Sequence, residues 1–572
     1  MIVAVLIATV VGRPAWSESA APFQAMFRDR QPFLEAIRRE KPVQRPQAQL
    51  TGITVPHHLL AADLIARGFW AASASKVDRV ILLSPDHFLR TQRPFATSTR
   101  SFRTPFGTLR PDLPAVTALL ADAELFEEST LFAQEHGIGA LLPFVAHFFP
   151  RAAIVPIAIS VQATRAEWEQ AIPRLLPLIG ARTLIVQSTD FSHYLPLQTA
   201  LQRDQETLNI LSANSVDQVA GLRQSDHLDS KGAQYIQMRL QSLIGASGPI
   251  VIASRNSHQY SRIEATTTSY IVQLFSAKPD ELAGLQYPDQ KVVYFGGDVL
   301  LGRYLTPPLL DDDARRAILS EVRRVTGGGP LIVNLEGVAL DEPPPGLPFD
   351  LHVMPSGLAT PMLKAMNVVA ASLANNHSFD LGEVGLEETV AALQKVGIKP
   401  IRHGEIADLG AFRLLALNFI SKRQISGFPT VEDGDLAKIC QRESRPPLVA
   451  FVHWGREYSR QAGDAEYDAA SQLLDCGVAA IIGAHSHKAG AGVESVRGGA
   501  QQITFSLGNF LFDQNGTVAT GAILELRVFE QGTFATRFIP IPNLYDLGHN
   551  KLFERVRSPG GEQTSSERNK AD

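Results

Sequence analysis

The segment VAAIIGAHSH at residues 478–487 shows the pattern from which the fold of the second half of this chain can be inferred: a short apolar run that ends in closely spaced polar side chains. The same form recurs at VVAASLANNH (368–377), PLVAFVHWG (447–455), PLIVNLEG (330–337) and KVVYFGGDVLLG (291–302). Apolar runs of this length between helical patterns are typical of buried strands in an α/β layer structure. Because ligands bind beyond the carboxyl ends of such strands, the recurring polar ends predict one shared site.

The first half of the chain shows the same alternation. Its apolar runs are VDRVILLS (77–84), AAIVPIAIS (152–160), RTLIVQST (182–189) and GPIVIAS (248–254). The alternation stops at SAKPDELAGLQYPDQ, which is polar and contains proline, and then restarts. The pause predicts two α/β domains, residues 50–275 and 291–545, joined by a linker at 276–290.

The two ends of the chain have a different composition from the domains. The ten-residue apolar run at 2–11 is too short for a hydrocarbon core that needs about 20 residues, but it suits the core of a secretory signal peptide, predicted at 1–21. No Lys or Arg precedes it, so a short buried strand is the alternative. The protein is then expected in the periplasm or cell envelope, or in the cytoplasm if the run is not a signal.

An N-terminal extension at 22–49, with a helix at 33–40, and a polar tail at 546–572 complete the predicted organisation. After export, only an uncleaved N-terminus would contact a membrane, because no later apolar stretch reaches the length of a membrane span.

Charge and cysteine content exclude two classes of function. Lys plus Arg number 53 and Asp plus Glu 58, giving a net charge of −5 without a basic cluster, so we expect no nucleic-acid partner. The two cysteines, Cys440 and Cys476, exclude a four-cysteine zinc site. Any metal site must therefore use mainly His, Asp, Glu and Asn.

The strand ends of the second domain carry ligand-type residues. They are Asp298, Asn334, Glu336, Asn376, His377, His453, His485 and His487. Carboxylates, amide oxygens and imidazoles together suit divalent cations, and a bridging carboxylate can hold two ions about 3.5–4 Å apart. In an extended segment, His485 and His487 would face the same side, and Gly483 would let the backbone turn closely around the site. Taken singly, each His also fits a hydrogen-bonded structural role and the NNH segment fits a turn.

The first domain carries a second set of such residues. It comprises His57, His58, Asp86, His87, Glu135, His136, Asp190 and His193, followed by Asp226, His227 and Asp229. Two imidazoles and a carboxylate suffice to bind one ion. In the alternative interpretation, the carboxylates only orient structural histidines.

Residues 291–545 resemble the CapA family of capsule and poly-γ-glutamate synthesis proteins, within the calcineurin-like metallophosphoesterase superfamily. The segments that carry the resemblance are VVYFGGDVLLGR, VNLEG, SLANNHSFDLGEVGLEETVAAL, FVHWGREY, GAHSH and FSLGNFLF. The resemblance implies a four-layer αββα sandwich with Mn, Fe or Zn bound at one edge of the sheets. It assigns as metal ligands Asp298, Glu336, Asn376, His453, His485 and His487, and it assigns His377 as the general acid.

One motif departs from the superfamily pattern. The superfamily usually has Asp-x-His at its first motif, whereas Asp298 is followed here by Val299 and Leu300. One imidazole ligand is therefore missing from that motif, and Glu336 stands where the superfamily has its bridging Asp. A mononuclear and a loosely binuclear site both remain open.

Residues 50–275 resemble the Memo family, whose α/β fold is related to class III extradiol dioxygenases. The resemblance rests on PHH (56–58), SPDH (84–87), TPFG (104–107), EHGIGALLPF (135–144) and STDFSH (188–193) as an ordered set. It implies a cleft lined by His57, His87, Glu135, His136, Asp190 and His193. A metal ion in this cleft is an expectation of the resemblance, without a defined reaction.

These features favour an exported metal-dependent hydrolase that synthesises or processes a capsule or poly-γ-glutamate-like polymer. Its substrate would be a phosphoester or an amide-linked anionic polymer, and its partners would include capsule-synthesis machinery. The alternative is a non-catalytic envelope protein that binds the polymer and retains a structural metal site. His377 beside Asn376 favours the enzyme, because a structural site needs no proton donor.

Overall fold

The computed structural model describes residues 21–43, 46–262, 265–422, 428–432, 436 and 446–557. They form two α/β domains, as the alternation of strands and helices predicts. Residues 1–20 of the predicted signal segment 1–21, the end of the chain from 558 and Cys440 lie outside the described residues.

The N-terminal domain is built on one nine-stranded mixed sheet. The order across it is Ile250–Asn256, Thr267–Ser276, Leu50–Val55, Thr183–Ser188, Arg79–Asp86, Ala153–Ser160, Phe95–Thr97 and Phe126–Glu128, with Phe191–Leu195 pairing with Thr267–Ser276. Its central strands are parallel, with Val55 paired to Ser188 and Leu83 to Gln187. Their carboxyl ends therefore lie at one edge, next to His57, His87 and Asp190.

Helices cover both faces of this sheet. They are Gln31–Arg39, Ala62–Ala72, Leu113–Leu120, His136–Gly139, Leu142–Phe148, Arg165–Leu175, Leu197–Ser212, Val216–Gly221 and Lys231–Leu243. One apolar core, with Phe69 and Phe144, lies on one face, and another, with Trp168 and Tyr235, lies on the other. A small hairpin, Phe102–Thr104 with Gly107–Leu109, lies outside the sheet. The strands read as nearly continuous apolar runs because they are buried on both faces.

The C-terminal domain contains two larger sheets. The first runs Lys399–Ile401, Val368–Ser372, Leu331–Leu335, Gln290–Val299, Gly521–Phe529 and Phe534–Ile541, with Asn509–Leu511 also pairing to Gln290–Val299. The second runs Ile406–Asp408, Arg413–Asn418, Leu448–His453, Ala480–Ala484, Gln501–Thr504 and Glu494–Val496. A two-stranded sheet, Val338–Leu340 with Val353–Pro355, lies beside them.

The two larger sheets pack face to face. Phe295 of the first sheet contacts Phe451 of the second, with ring centroids 5.6 Å apart in an edge-on arrangement, inside a core shared by both sheets. The flanking helices are Thr306–Leu310, Asp312–Thr326, Ser356–Ala365, Gly382–Lys395, Asp464–Asp475 and Leu544–Arg557. Separate apolar clusters join these helices to the outer faces, which gives the sandwich of two sheets between helices that the resemblance to the CapA family implies.

Ion pairs anchor the linker between the domains. Asp289 accepts hydrogen bonds from Arg67 at 2.9 Å and from Arg255 at 2.6 Å. The helix Leu197–Ser212 also reaches across, since Asn209 donates to the carbonyl of Gly499 at 2.8 Å. The 276–290 segment is therefore held against the N-terminal domain by buried charges.

Two bounds differ from the predicted ones. The first helix covers Gln31–Arg39 rather than 33–40. The last helix, Leu544–Arg557, crosses the predicted border at 545, so the described part of the predicted polar tail is helical. Among the described residues, no helix has the length and apolar character needed to cross a bilayer.

Candidate metal centres

The C-terminal site lies where the carboxyl ends of both larger sheets meet. In the first sheet, Asp298 is paired with Asn334, and Asn334 with Ser372 just before Asn376. In the second sheet, His453 is paired with Ala484, immediately before His485. Parallel pairing brings these strand ends to one edge, so ligand-type residues from distant segments come together.

Glu336 lies at the centre of this cluster. One potential ligand atom each of Glu336, His453 and His485 lies within 4.8 Å of the others, and the same holds for Asp298, Glu336 and His487. The Nε2 atom of His453 is 3.8 Å from Oε1 of Glu336, and Nδ1 of His487 is 3.4 Å from Oδ2 of Asp298. All five side chains are buried. Two groups sharing one carboxylate match the arrangement expected for two neighbouring cations.

The carboxylate of Glu336 has no hydrogen-bond donor, and this unpaired state fits a cation-binding role. Both carboxylate oxygens of Glu336 and Nδ1 of His485 are buried without a hydrogen-bond partner. Burial, reinforced by the charge of Asp298, raises the pKa of Glu336 well above its ordinary value. An unpaired buried carboxylate is costly, and a bound cation would remove that cost.

The imidazoles of the site divide into two electrostatic classes. Burial holds the pKa of His453 well below its ordinary value and lowers that of His485 to about 4. Both rings are therefore neutral at pH 7, the state required of a metal ligand. Burial also opposes the charged form of His487, but the carboxylates of Glu336 and Asp298 outweigh it and raise the pKa of His487 to about 9. Cation binding at His487 would displace a proton.

The His485-Ser486-His487 segment is not extended as expected, although one ligand atom of each histidine lies within 4.8 Å of one on Glu336. The strand ends at Ala484, and the backbone at His485 and His487 is left-handed, with φ of 92° and 55°. Left-handed backbone at residues other than glycine is strained and clusters at functional sites. Gly483 is needed for close approach, because a Cβ there would lie 1.9 Å from the carbonyl oxygen of Phe505.

Amide side chains orient the ligands. Asn334 donates to Oδ1 of Asp298 at 2.8 Å, and its own oxygen accepts from Asn375 at 3.1 Å. Asn376 presents its amide oxygen 2.7 Å from Nε2 of His453. Asn334 thus holds Asp298 in place by a hydrogen bond, whereas the side-chain oxygen of Asn376 faces the other ligand-type residues.

His377 is oriented by an acid that the sequence interpretation did not single out. Nδ1 of His377 lies 2.7 Å from Oδ2 of Asp380, and the other Asp380 oxygen accepts from Lys422 at 2.7 Å. One ligand atom of His377 lies within 4.8 Å of one on Glu336. Because Asp380 occupies Nδ1, Nε2 is the nitrogen left to face the site. A carboxylate at Nδ1 stabilises the doubly protonated ring, which is the form that can give up a proton from Nε2.

The N-terminal site has Asp229 at its centre. Its Oδ2 atom lies 3.2 Å from Nε2 of His57, 3.6 Å from that of His87 and 3.9 Å from that of His193. The other oxygen, Oδ1, and Nε2 of His193 are buried without hydrogen-bond partners. In the same cleft, one potential ligand atom each of His57, His87 and His136 lies within 4.8 Å of the others, so a single divalent cation could use these imidazoles beside the carboxylate of Asp229.

The remaining cleft residues surround this centre. Glu135 contacts Nδ1 of His87 at 2.6 Å, and the rings of His87 and His136 are 4.0 Å apart. Asp190 accepts the backbone N–H of His57. Burial and the neighbouring Asp229 raise the pKa of Asp190 to about 6. All six cleft residues named from the sequence are thus brought together.

Other candidates of the N-terminal domain lie elsewhere. His58 hydrogen-bonds to Tyr270, and Asp86 accepts backbone N–H groups of the loop that follows it. Asp226 pairs with Arg223, and His227 pairs with Glu206. Of the Asp226-His227-Leu228-Asp229 segment, therefore, only Asp229 reaches the centre. Its sequence signal was present in that segment, but nothing local distinguished it from Asp226.

Comparison with known proteins agrees with the two folds. A Memo-like protein family model matches residues 23–272, and a model of the bacterial capsule synthesis protein PGA_cap matches 292–409 and 431–514. The PGA biosynthesis protein CapA of Bacillus subtilis is 23% identical over 310 residues, 50% of this chain and 80% of that protein.

Two further relatives match shorter stretches of the chain. The capsule biosynthesis protein CapA of Bacillus anthracis is 24% identical over 217 residues, 34% of this chain and 52% of that protein. A MEMO1 family protein of Saccharolobus solfataricus is 30% identical over 164 residues, 27% of this chain and 57% of that protein. The chain thus spans little more than half the length of these two relatives. It is a fusion of an N-terminal Memo-like domain with a C-terminal domain of the PGA_cap capsule synthesis family.

Proposed function

We propose that the C-terminal domain is a metal-dependent hydrolase that acts in the synthesis or processing of a capsule or poly-γ-glutamate-type polymer. The observation that carries the proposal is the buried, unpartnered carboxylate of Glu336 between two groups of ligand-type side chains. The names of the relatives, which refer to capsule and PGA biosynthesis, support the polymer class.

The geometry supports two cation positions. Glu336, His453 and His485, with Asn376 beside them, would hold one cation, and Asp298, Glu336 and His487 would hold the other. The second position keeps three donors although the first motif lacks its usual His. Bound Mn, Fe or Zn would supply activation of water and stabilisation of developing negative charge.

His377 would donate the proton to the leaving oxygen or nitrogen. Asp380 orients the ring through Nδ1 and stabilises its doubly protonated form, and Lys422 in turn holds Asp380. The Asp380 side chain is almost fully buried, at 1% exposure, which strengthens its interaction with His377. Phosphoesters and amide-linked polymers both need such a donor, so both belong to the proposed substrate class.

The N-terminal centre would bind one further cation through His57, His87, His193 and Asp229. Glu135 and Asp190 would orient the ligands, since each contacts a ligating residue. An apolar shell behind the site, with Phe191 fully buried, would keep it rigid.

The proposed location is the cell envelope, where a capsule-type polymer would be met. The partners would be an anionic polymer or phosphoester substrate and the capsule-synthesis machinery. N-terminal sequencing of protein purified from cells tests this location. A mature chain beginning near residue 22 is expected, and an intact Met1 would contradict cleavage.

Metal analysis combined with a hydrolysis assay tests the enzyme proposal. Purified full-length protein is expected to bind Mn²⁺ or Zn²⁺ and to hydrolyse phenyl phosphate, a poor leaving group, or poly-γ-glutamate, and His377→Ala should retain the metal but lose turnover. Metal binding without turnover of either substrate would instead favour a non-catalytic polymer-binding protein. Full activity of His377→Ala would remove the proposed proton donor.

A further inference from the structure

His352 lies against the proposed proton donor. Its ring stacks on that of His377, with centroids 3.4 Å apart and planes inclined by 13°. His352 directly precedes the short strand Val353–Pro355, and it belongs to none of the sequence motifs described above. Its ring also meets the edge of Phe512, at 5.5 Å and 68°.

Two hydrogen bonds fix His352 itself. Its Nδ1 lies 3.2 Å from the carbonyl oxygen of Glu336, and its backbone N–H donates to Oδ2 of Asp380 at 2.8 Å. The side chain is buried, with a residue exposure of 8%. The same Asp380 oxygen contacts Nδ1 of His377, so one carboxylate positions both members of the stacked pair.

The stacked geometry argues against a shared cation. Glu336, His352 and His377 do offer ligand atoms within 4.8 Å of one another. A ligating imidazole, however, holds its ion about 2.0–2.1 Å from nitrogen and close to the ring plane. Because these two ring planes are nearly parallel and stacked, one ion cannot lie in both.

We propose that His352 is a positioning residue that holds the ring plane of His377, so that Nε2 of His377 points at the leaving group. This inference rests on the hydrolase proposal. The Asp380 bond fixes the direction of the His377 ring within its plane, but not rotation about that bond. The face of His352 blocks that rotation, and its own Nδ1 bond and Phe512 keep it in place.

Three variants of the full-length protein separate stacking from hydrogen bonding. His352→Phe keeps an aromatic face, His352→Gln keeps a hydrogen-bonding group without the face, and His352→Ala loses both. His147→Ala, which changes a histidine on the helix Leu142–Phe148 of the other domain, is the control. Each is assayed with p-nitrophenyl phosphate, a good leaving group, and phenyl phosphate, a poor one.

The expected result is a loss that depends on the leaving group. With phenyl phosphate, kcat should fall about 10-fold or more in His352→Ala and His352→Gln, while KM stays unchanged. In His352→Phe, kcat for the same substrate should stay within about 3-fold of wild type. With p-nitrophenyl phosphate, all variants should stay within about 3-fold. Equal loss on both substrates, or a His352→Phe variant as slow as His352→Ala, would overturn the proposal.

Two readouts do not depend on turnover. Bound metal measured by mass spectrometry should be unchanged in all variants, and a lower content in His352→Ala would make His352 a ligand instead. Crystal structures should show one His377 orientation in wild type and His352→Phe, but a rotated or divided ring in His352→Ala. A single, unrotated His377 ring in His352→Ala would refute the positioning role, whether or not the wild-type protein hydrolyses these esters. Absence of hydrolysis of both esters by wild type would count against the hydrolase proposal instead.

Discussion

The amide oxygen of Asn376 lies 2.7 Å from Nε2 of His453, although the two residues follow strands of different sheets. This contact joins the two sheets of the sandwich at the edge where their strands end. It places the ligand-type residues of one sheet opposite those of the other, with Glu336 between them. The proposed chemistry depends on this junction rather than on either sheet alone.

Glu336→Gln should stabilise the metal-free protein and abolish its response to metal. The folded state raises the pKa of Glu336, so wild type loses stability as the pH rises above about 4.5, and the variant does not. At pH 8 the metal-free variant should melt more than about 3 °C above metal-free wild type, with a smaller difference at pH 4.5. Added Mn²⁺ should raise the melting temperature of wild type only. The exposed Glu342→Gln serves as the control, and a lower melting temperature of metal-free Glu336→Gln would refute the unpartnered-carboxylate argument.

Asp380→Asn should slow turnover without loss of metal. The amide cannot stabilise a protonated His377 as the carboxylate does, so kcat for phenyl phosphate should fall about 10- to 100-fold with KM nearly constant. Steady-state kinetics together with metal analysis would measure this. Loss of bound metal in this variant would show that Asp380 supports the ligands rather than the proton donor.

Asp229→Asn should reduce metal binding at the N-terminal centre alone. The change removes the negative charge that lies between His57, His87 and His193. Isothermal titration with Zn²⁺ should therefore lose one binding event, with phosphatase activity retained. Asp226→Asn, in the same segment but paired with Arg223, should bind as wild type does. Identical titrations for the two variants would argue against a cation at Asp229.

Glu525→Gln should destabilise the C-terminal domain at neutral pH. Glu525 is buried and pairs with Arg527 and Arg537, each at 2.9 Å. Its loss leaves the buried Arg527 without a charge partner, at a cost of about 3–5 kcal/mol in the free energy of unfolding. Burial opposes its ionisation, but the two arginines outweigh this and lower the pKa of Glu525 to about 2. The stabilisation should therefore be complete above about pH 4.5 and disappear toward pH 2. Urea unfolding at pH 7 and pH 3 measures both effects, and a destabilisation as large at pH 3 as at pH 7 would contradict this linkage.

Asp204→Asn should stabilise the N-terminal domain above neutral pH. Burial raises the pKa of Asp204 to about 7, against hydrogen bonds from Ser192 and Ser269. The wild-type fold thus loses stability as the pH rises from about 4 to about 7, and the neutral amide does not. Thermal unfolding of wild type and variant across this range should diverge. Parallel melting curves would show that Asp204 is ionised without penalty.

The class of both domains and most of the candidate ligands can be predicted from local sequence patterns. Buried parallel strands must be apolar along their length, so strands such as 480–484 and 183–188 can be recognised from their own sequence. The polar residues that follow each strand mark the edge of the sheet. Glu336, His453 and His485 were named on that basis, and they do lie together.

Which of these polar residues contact each other depends on how the chain folds in three dimensions. Asp226 and Asp229 are alike in sequence, yet only Asp229 faces three imidazoles, because the turn before the helix Lys231–Leu243 aims one side chain inward and the other to solvent. His352 has no motif at all, and its stacking on His377 follows from how a separate two-stranded sheet packs against the site. Strand patterns are set by local burial, whereas side-chain partners depend on sheet order and register, which join segments far apart in the chain.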